Sequence, residues 1–424
     1  MKKSTQKKLL TLIGCMVFMA ILTIPTPAAA EDQIDQGSIY GQITLKDGSK
    51  LQGPIRWGKE EALWHDFFNS TKEENDFSVY LSGRELRELR RKNGGSGFGG
   101  FLRRMFGGLS GDSDVLPTHQ FVCRFGEIKE MQMRGGDTVI LTFKDGERQE
   151  VEGGSNDIEA KLHIIDREQG DITLKWDKIR AIEFMAAPQP LKGIFGKPLF
   201  GTVTTKYGNF KGYIQWDHEE CLDTDKLDGD SEDGDISVEF AKIKAIEKFK
   251  RGSLVTLLSG KEIYIYGSND VNDNNRGIII NDLNFGKIRV DWDEFDRLDF
   301  EPNPAAPPAG YDEFITPKPL SGKVFTKDGR TYSGKIVYDL DEAMDFEIIS
   351  GSRDDIEYNI PLRNIDTITP AGSCCSKITL KNGKTIELED ERDVNGDNDG
   401  LLVWGDSKEP DYISWQRIKE IKLN

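Results

Sequence analysis

Apolar and polar residues alternate along most of this chain, in short runs punctuated by glycine-containing turn signals. Ile43 and Leu45 lead into Asp47-Gly48, and Ile55 and Trp57 follow it. Alternation on both sides of a two-residue turn predicts a β-hairpin. The figure returns from Gly201, with Tyr207-Gly208 between its arms and Ile214 and Trp216 on the second arm. It returns again from Gly322, with Asp328-Gly329, Ile336 and Tyr338. Three related stretches lie between these copies: TVILTFKDGERQEV, SLVTLLSGKEIYIY and SKITLKNGKTIELE, turning at Asp145-Gly146, Ser259-Gly260 and Asn382-Gly383. Recurrence at long, regular spacing predicts an array of one small β unit.

The modules also end alike. Trp176, Ile179, Ile182 and Phe184 recur as Trp292, Phe295, Leu298 and Phe300, and as Trp415, Ile418, Ile421 and Leu423. Three-residue spacing between two strands predicts one 3₁₀ turn. With these residues in place, Leu45 to Ile55 (LKDGxxxxGxI) resembles the first motif of Sm-like barrels, and the strand, 3₁₀ turn, strand ending resembles SH3-like barrels in general. The resemblance implies a small-barrel topology. The second motif, through which Sm proteins bind RNA, is not found here, so RNA binding is not carried over.

The expected fold is therefore all-β, with six SH3-like modules in three pairs. Modules 1 and 2 occupy 36–185, with a Gly/Arg-rich insertion at 83–119; modules 3 and 4 occupy 195–300, and modules 5 and 6 occupy 320–424. The Pro-rich stretch 301–319 reads as a semi-extended linker. Six modules of roughly four strands also suit a six-bladed β-propeller. The linker and a shorter break at Ala186 favour pairs on a string.

Residues 1–30 read as a signal peptide: Lys2, Lys3, Lys7 and Lys8, an apolar run from Leu9 to Ile24, then Ala28-Ala29-Ala30. Export to the periplasm or cell surface follows. The competing reading takes Leu12-Ile13-Gly14-Cys15 as a lipoprotein box with Cys15 lipidated. No later run is apolar for long enough to span a membrane, although peripheral contact is compatible with the sequence. Setting aside this leader, with its four lysines and no acid, leaves 52 basic against 73 acidic residues and a net charge of −21. Such a surface repels phosphate backbones, which disfavours nucleic acid as a partner. The cysteines beyond the leader, Cys123, Cys221, Cys374 and Cys375, allow three pairings.

Acidic loops are the best candidates for chemistry. Asp393, Asn395, Asp397 and Asp399 place oxygens at alternate positions, as a calcium loop requires. Asp270, Asn272 and Asn274 repeat the pattern, and Ser155-Asn156-Asp157 is a reduced version. Trp404 stands where an EF-hand carries its bidentate glutamate, and Asx-rich turns have the same composition. A denser acidic run from Asp223 to Asp235 reads as a solvated, mobile run, with calcium as its alternative. Paired acids recur at Glu60-Glu61, Glu219-Glu220 and Asp341-Glu342, followed by Asp66, Asp225 and Glu347. Two carboxylates can hydrolyse glycosides, but neighbours on an extended strand face opposite ways. No catalytic residue is assigned. The residues Trp57, Trp216, Tyr338, Trp176, Trp292 and Trp415 are expected in the core, not on a sugar-binding platform. Within the insertion, Phe98, Phe101, Arg103, Arg104 and Phe106 read as a flexible loop or as a sticky arm for an acidic or lipid surface.

These observations point to an exported, non-catalytic binding or scaffolding protein of the bacterial envelope, with an envelope protein, a glycan or another copy of itself as partner. No cofactor is expected, with Ca²⁺ the one candidate. A carbohydrate-active or other hydrolytic enzyme and a calcium-stabilised adhesion protein are the alternatives.

Overall fold

The computed structural model describes residues 36–72, 76–95, 120–153, 157–188, 191, 194–301 and 308–424. The leader, Cys15 and the proposed arm residues Phe98, Phe101, Arg103, Arg104 and Phe106 lie outside the described residues. No described helix is long and apolar enough to cross a membrane.

The chain is all-β and antiparallel. The first ten strands are β1 (Tyr40–Leu45), β2 (Lys50–Trp57), β3 (Phe67–Lys72), β4 (Gln120–Arg124), β5 (Ile128–Gly135), β6 (Thr138–Phe143), β7 (Arg148–Glu152), β8 (Leu162–Asp166), β9 (Gly170–Leu174) and β10 (Ile179–Phe184). The turns follow the sequence signals. Gly48 has a φ of +89° and Gly146 one of +93°, a region open to glycine without steric cost, and Asp47 Oδ1 accepts from Ser49 N at 2.9 Å. The 3₁₀ turns fall at Phe125–Glu127 and Trp176–Lys178, where the three-residue spacing put them.

Strand partners do not follow chain order. The ladders run β4-β3-β7-β6-β5-β10-β1-β2-β8-β9. β1 and β2 of the first module pair with β10 and β8 of the second, with Ile43 opposite Ile182 and Ile55 opposite Ile164. β3 of the first module likewise meets β7 of the second, with Thr71 opposite Glu152. Among the described residues no ladder joins the end strands β4 and β9, so the sheet stays open. The expectation that each module closes into its own barrel thus meets a different arrangement, in which two sequence modules share their strands and no barrel closes.

The same ladders recur in β11 (Phe200–Thr205) to β20 (Phe295–Phe300), where Ile214 faces Ile280, and in β21 (Ser321–Thr326) to β30 (Ile418–Leu423), where Ile336 faces Val403. These two sets are continuous. β19 (Gly286–Val290) pairs with β24 (Ile356–Pro361), with Ile288 opposite Tyr358, and one hydrophobic cluster runs through both sets. A second cluster fills the first set.

The segment read as a semi-extended linker packs against the first set where it is described. The Tyr311 hydroxyl donates to Ile128 O at 3.0 Å, the Tyr311 ring packs 4.6 Å from Trp64, and Lys144 Nζ lies 3.6 Å from the Tyr311 ring centroid. A Cβ on Gly126 would stand 2.4 Å from the Phe314 ring, so only glycine fits there. The insertion at 83–119 is not loop throughout. It begins with helix α1 (Gly83–Gly95), opened by a capping box in which Ser82 N donates to Glu85 Oε2 at 2.7 Å. Leu81 and Leu89 bury that helix and its approach against Val337, Leu340 and Leu402 of the third set.

Shared strands predict that half a set cannot fold. A fragment spanning 195–249 lacks β18 (Ile278–Asp282) and β17 (Glu262–Tyr266), the partners that β12 (Gly208–Gln215) and β13 (Lys226–Ser231) take from the other module, and should show no cooperative thermal transition, whereas 195–300 should retain one. Cooperative melting of the half, followed by circular dichroism, would count against the exchange.

Candidate functional site

Each set is tied by the same pair of devices. A buried aromatic at the end of the second strand donates to a loop carbonyl: Trp57 Nε1 to Asp157 O at 2.7 Å, Trp216 Nε1 to Asp270 O at 2.8 Å, and Tyr338 Oη to Asp393 O. All three rings are fully buried, as expected for core residues. The carboxylate of the same loop aspartate accepts from the start of the third strand. The donors are Asn69 N for Asp157, Asp228 N at 2.8 Å for Asp270 and Ser350 N at 2.7 Å for Asp393. Further on, Asp66, Asp225 and Glu347 each cap a turn by accepting two backbone N–H groups, from Ala62 and Leu63, Cys221 and Leu222, and Ala343 and Met344.

The same acids join the sets to one another. Arg56 of the first set grips Asp225 of the second with two bonds of 2.7 and 2.9 Å. Lys72 reaches the third set, 3.1 Å from Asp341 and 2.6 Å from Glu347, with all three side chains buried. Neighbouring Asp341 and Glu347 push the Lys72 ammonium far above its ordinary range, outweighing the opposing effect of burial. Arg363 of the third set returns to Glu127 of the first at 3.0 Å.

The loops read as calcium ligands spend most of their oxygens internally. Asn395 Oδ1 accepts from Asp397 N at 2.7 Å, Asn398 Oδ1 accepts from Gly400 N at 2.9 Å, and Asp399 is 2.7 Å from Arg392 and 3.3 Å from Lys92. In the second set Asn272 Oδ1 accepts from Asn274 N at 2.9 Å. Arg276, in the position of Asp399, pairs with Asp217 at 3.1 Å and Glu219 at 3.0 Å. This is the geometry of Asx turns, and neither loop gathers its acids into one ligand set among the described residues. The acids brought together are Glu60, Glu61 and Asp157, one oxygen of each lying within 4.8 Å of the others.

That grouping contradicts the argument from strand alternation. Trp57 N donates to Glu61 O at 2.8 Å and closes a tight turn, so Glu60 and Glu61 are not neighbours on an extended strand. The reduced loop after β7 adds Asp157. It runs from Asp157 to Leu162, three residues shorter than Asp270 to Ile278 or Asp393 to Leu401. Gly58 stands where Asp217 and Asp339 hold their arginines. The loop arginines that Asp217 and Asp339 hold therefore have no counterpart beside Gly58 among the described residues. A cavity of about 340 Å³ opens between the first two sets, lined by Glu60, Glu61, Asp157, His218, Asn281 and Lys287. The signal for this site was the loop deletion together with Gly58; nothing in the sequence pointed to Lys287.

Burial, then the charge of Asp157, pushes the Glu60 carboxyl up to about 7. Burial and the same neighbours hold Glu61 well above the carboxylate range. Asp157 rises to about 6 through burial, opposed by its bonds from Asn69. Burial lowers Lys287, against the pull of Asp157 and Glu61, and takes His218 down to about 3. The cavity thus gathers groups that are costly to leave charged. Of the cysteines, Cys123 and Cys221 are free and buried.

Two stability measurements test this account. Removing Lys72 leaves two buried acids without their shared cation, so Lys72→Met should cost about 3–5 kcal/mol in chemical denaturation; a neutral effect would refute the brace. In the second set, Glu220 is pushed up to about 9 by burial first, then by Asp270, Glu219, Asp217 and Asp225. A carboxyl with a higher pKa folded than unfolded favours the fold at low pH, and that advantage is lost as pH rises from about 4.5 to about 9. Glu220→Gln should therefore raise the melting temperature near pH 8 and leave it unchanged near pH 4.

No protein-family model matches this chain, and no curated protein or solved structure matches it either.

Proposed function

We propose that this chain is a non-catalytic binding or scaffolding protein, exported to the bacterial envelope, and that each ten-strand set is a strand-exchanged pair of SH3-like modules. One observation carries the reading. The acids that recur in every set serve the architecture: they cap turns, anchor the third strand and join one set to the next. The open acidic cluster found among the described residues has oxygens within 4.8 Å of each other, closer than the roughly 5–5.5 Å of retaining and the wider gap of inverting glycosidases. The aromatic residues that could stack a sugar from the module ends are in the core.

Contact with a partner falls on the second set. Phe249 and Tyr266 are exposed, Tyr264 stacks on Tyr266 at 5.4 Å, and Lys250 lies 4.9 Å from the Phe249 ring. Rigid aromatic rings flanked by a cation are typical anchors of protein interfaces. The full chain, expressed with its leader, should fractionate with the envelope, and Tyr264→Ala with Tyr266→Ala should weaken that association while the melting curve is kept. Turnover of chromogenic glycosides that Glu60→Gln abolishes would reverse the reading in favour of an enzyme.

A further inference from the structure

The strands that lead into the closing turns are of two kinds. β9, β19 and β29 (Asp411–Ile413) precede Trp176, Trp292 and Trp415, whereas β4, β14 (Gly234–Glu239) and β24 precede the 3₁₀ turns at Phe125, Phe240 and Leu362. One strand of each kind is joined to the other: β19 of the second set pairs with β24 of the third. One of each kind is covered. Phe121, Val122 and Cys123 of β4 are buried, with Phe121 against Phe346 of the third set, and on the three-residue β29 Tyr412 packs on the cluster that Leu81 and Leu89 build. One of each kind is left open. Among the described residues the ladders of β9 and β14 reach only β8 and β13, and Asp171, Thr173, Asp235 and Ser237 are exposed. Such an edge offers a row of unpaired backbone N–H and C=O groups to another strand. Neither edge is interrupted by a proline or a bulge.

We propose that β9 of one copy adds to β14 of a second copy as β19 adds to β24 within the chain, joining copies head to tail. Ile172 stands four residues before Trp176 as Ile288 does before Trp292, and Ile236 stands four before Phe240 as Tyr358 does before Leu362. Because Ile288 faces Tyr358, the same register sets Ile172 opposite Ile236, each half-buried on its own sheet. Within the chain Arg289 faces Glu357 at 3.0 Å; between copies Thr173 faces Asp235. Asp171 then faces Ser237, and Lys175 faces Asp233. Each acid meets a hydroxyl or an ammonium, and no two like charges lie directly opposite, which would be unfavourable. β9 and β14 are different surfaces, so the contact is heterologous and every copy added brings a fresh edge. Such a contact rests on the scaffolding reading and gives the scaffold a second copy of itself as partner.

Mixing two variants reports the register directly. Full chain carrying Thr173→Cys, mixed with full chain carrying Asp235→Cys and oxidised, should form a disulfide between copies, identified by mass spectrometry of the linked peptides. The unaltered chain should sediment as oligomers that grow with concentration, and more so at high salt, because salt screens the repulsion between two acidic copies. Thr173→Asp sets an acid opposite Asp235 and should weaken association about two- to fivefold with the melting curve kept; adding Asp235→Lys should restore it. A chain that stays monomeric at every concentration and salt, no disulfide between the two introduced cysteines, or association indifferent to Thr173→Asp would each overturn the ladder. A monomer that still fractionates with the envelope would leave the scaffolding reading standing, whereas oligomers of a chain that does not fractionate would support the ladder and count against the envelope.

Discussion

Every set depends on one buried aromatic whose polar atom is tied to the backbone of an aspartate, while that aspartate's carboxylate holds the neighbouring strand. Burying a ring the size of Trp57 or Trp216 contributes roughly 4–6 kcal/mol, against about 1 kcal/mol net for its hydrogen bond. The ring therefore supplies the stability, and the bond sets where the loop sits. Because Asp157, Asp270 and Asp393 use carbonyl and carboxylate in opposite directions, one residue fixes both the end of the second strand and the start of the third.

That constraint governs how the sets meet. The turn after the aromatic ends in Asp66, Asp225 or Glu347, each occupied by two backbone donors. In the second and third sets the remaining oxygen faces another set and takes a cation from it, Arg56 or Lys72. Buried pairs of this kind are poor sources of net stability, since desolvation offsets most of the attraction, but they penalise any other arrangement. In this chain they define which set lies against which. A cavity follows where the series is broken, at Gly58 and the shortened loop after β7.

The candidate site was half legible in the residues. Glu60, Glu61 and Asp157 stand out as recurring acids, yet alternation along a strand argues against Glu60 and Glu61 sharing a face, and that premise fails because both lie in a turn closed by Trp57 and Glu61. The calcium pattern at Asp393 to Asp399 is visible for a reason that has nothing to do with metal: Asn and Asp bond their own backbone at the same spacing that a cation would use. Lys287 carried no signal, because a lysine on a strand is marked only by what the fold places opposite it.

What the sequence determined by itself is local. Hairpins at Asp47-Gly48 and Asp145-Gly146, the 3₁₀ turns before Ile128 and Ile179, and the burial of Trp57, Trp216 and Tyr338 all follow from backbone sterics and apolar periodicity within a few residues. Only the tertiary structure decided which hairpin pairs with which. Ile55 faces Ile164 across more than a hundred residues, and an alternating strand presents the same edge to any partner of suitable register. The choice falls to whichever arrangement buries every apolar face while satisfying the loop aspartates. That is a global condition, and no window of the chain contains it.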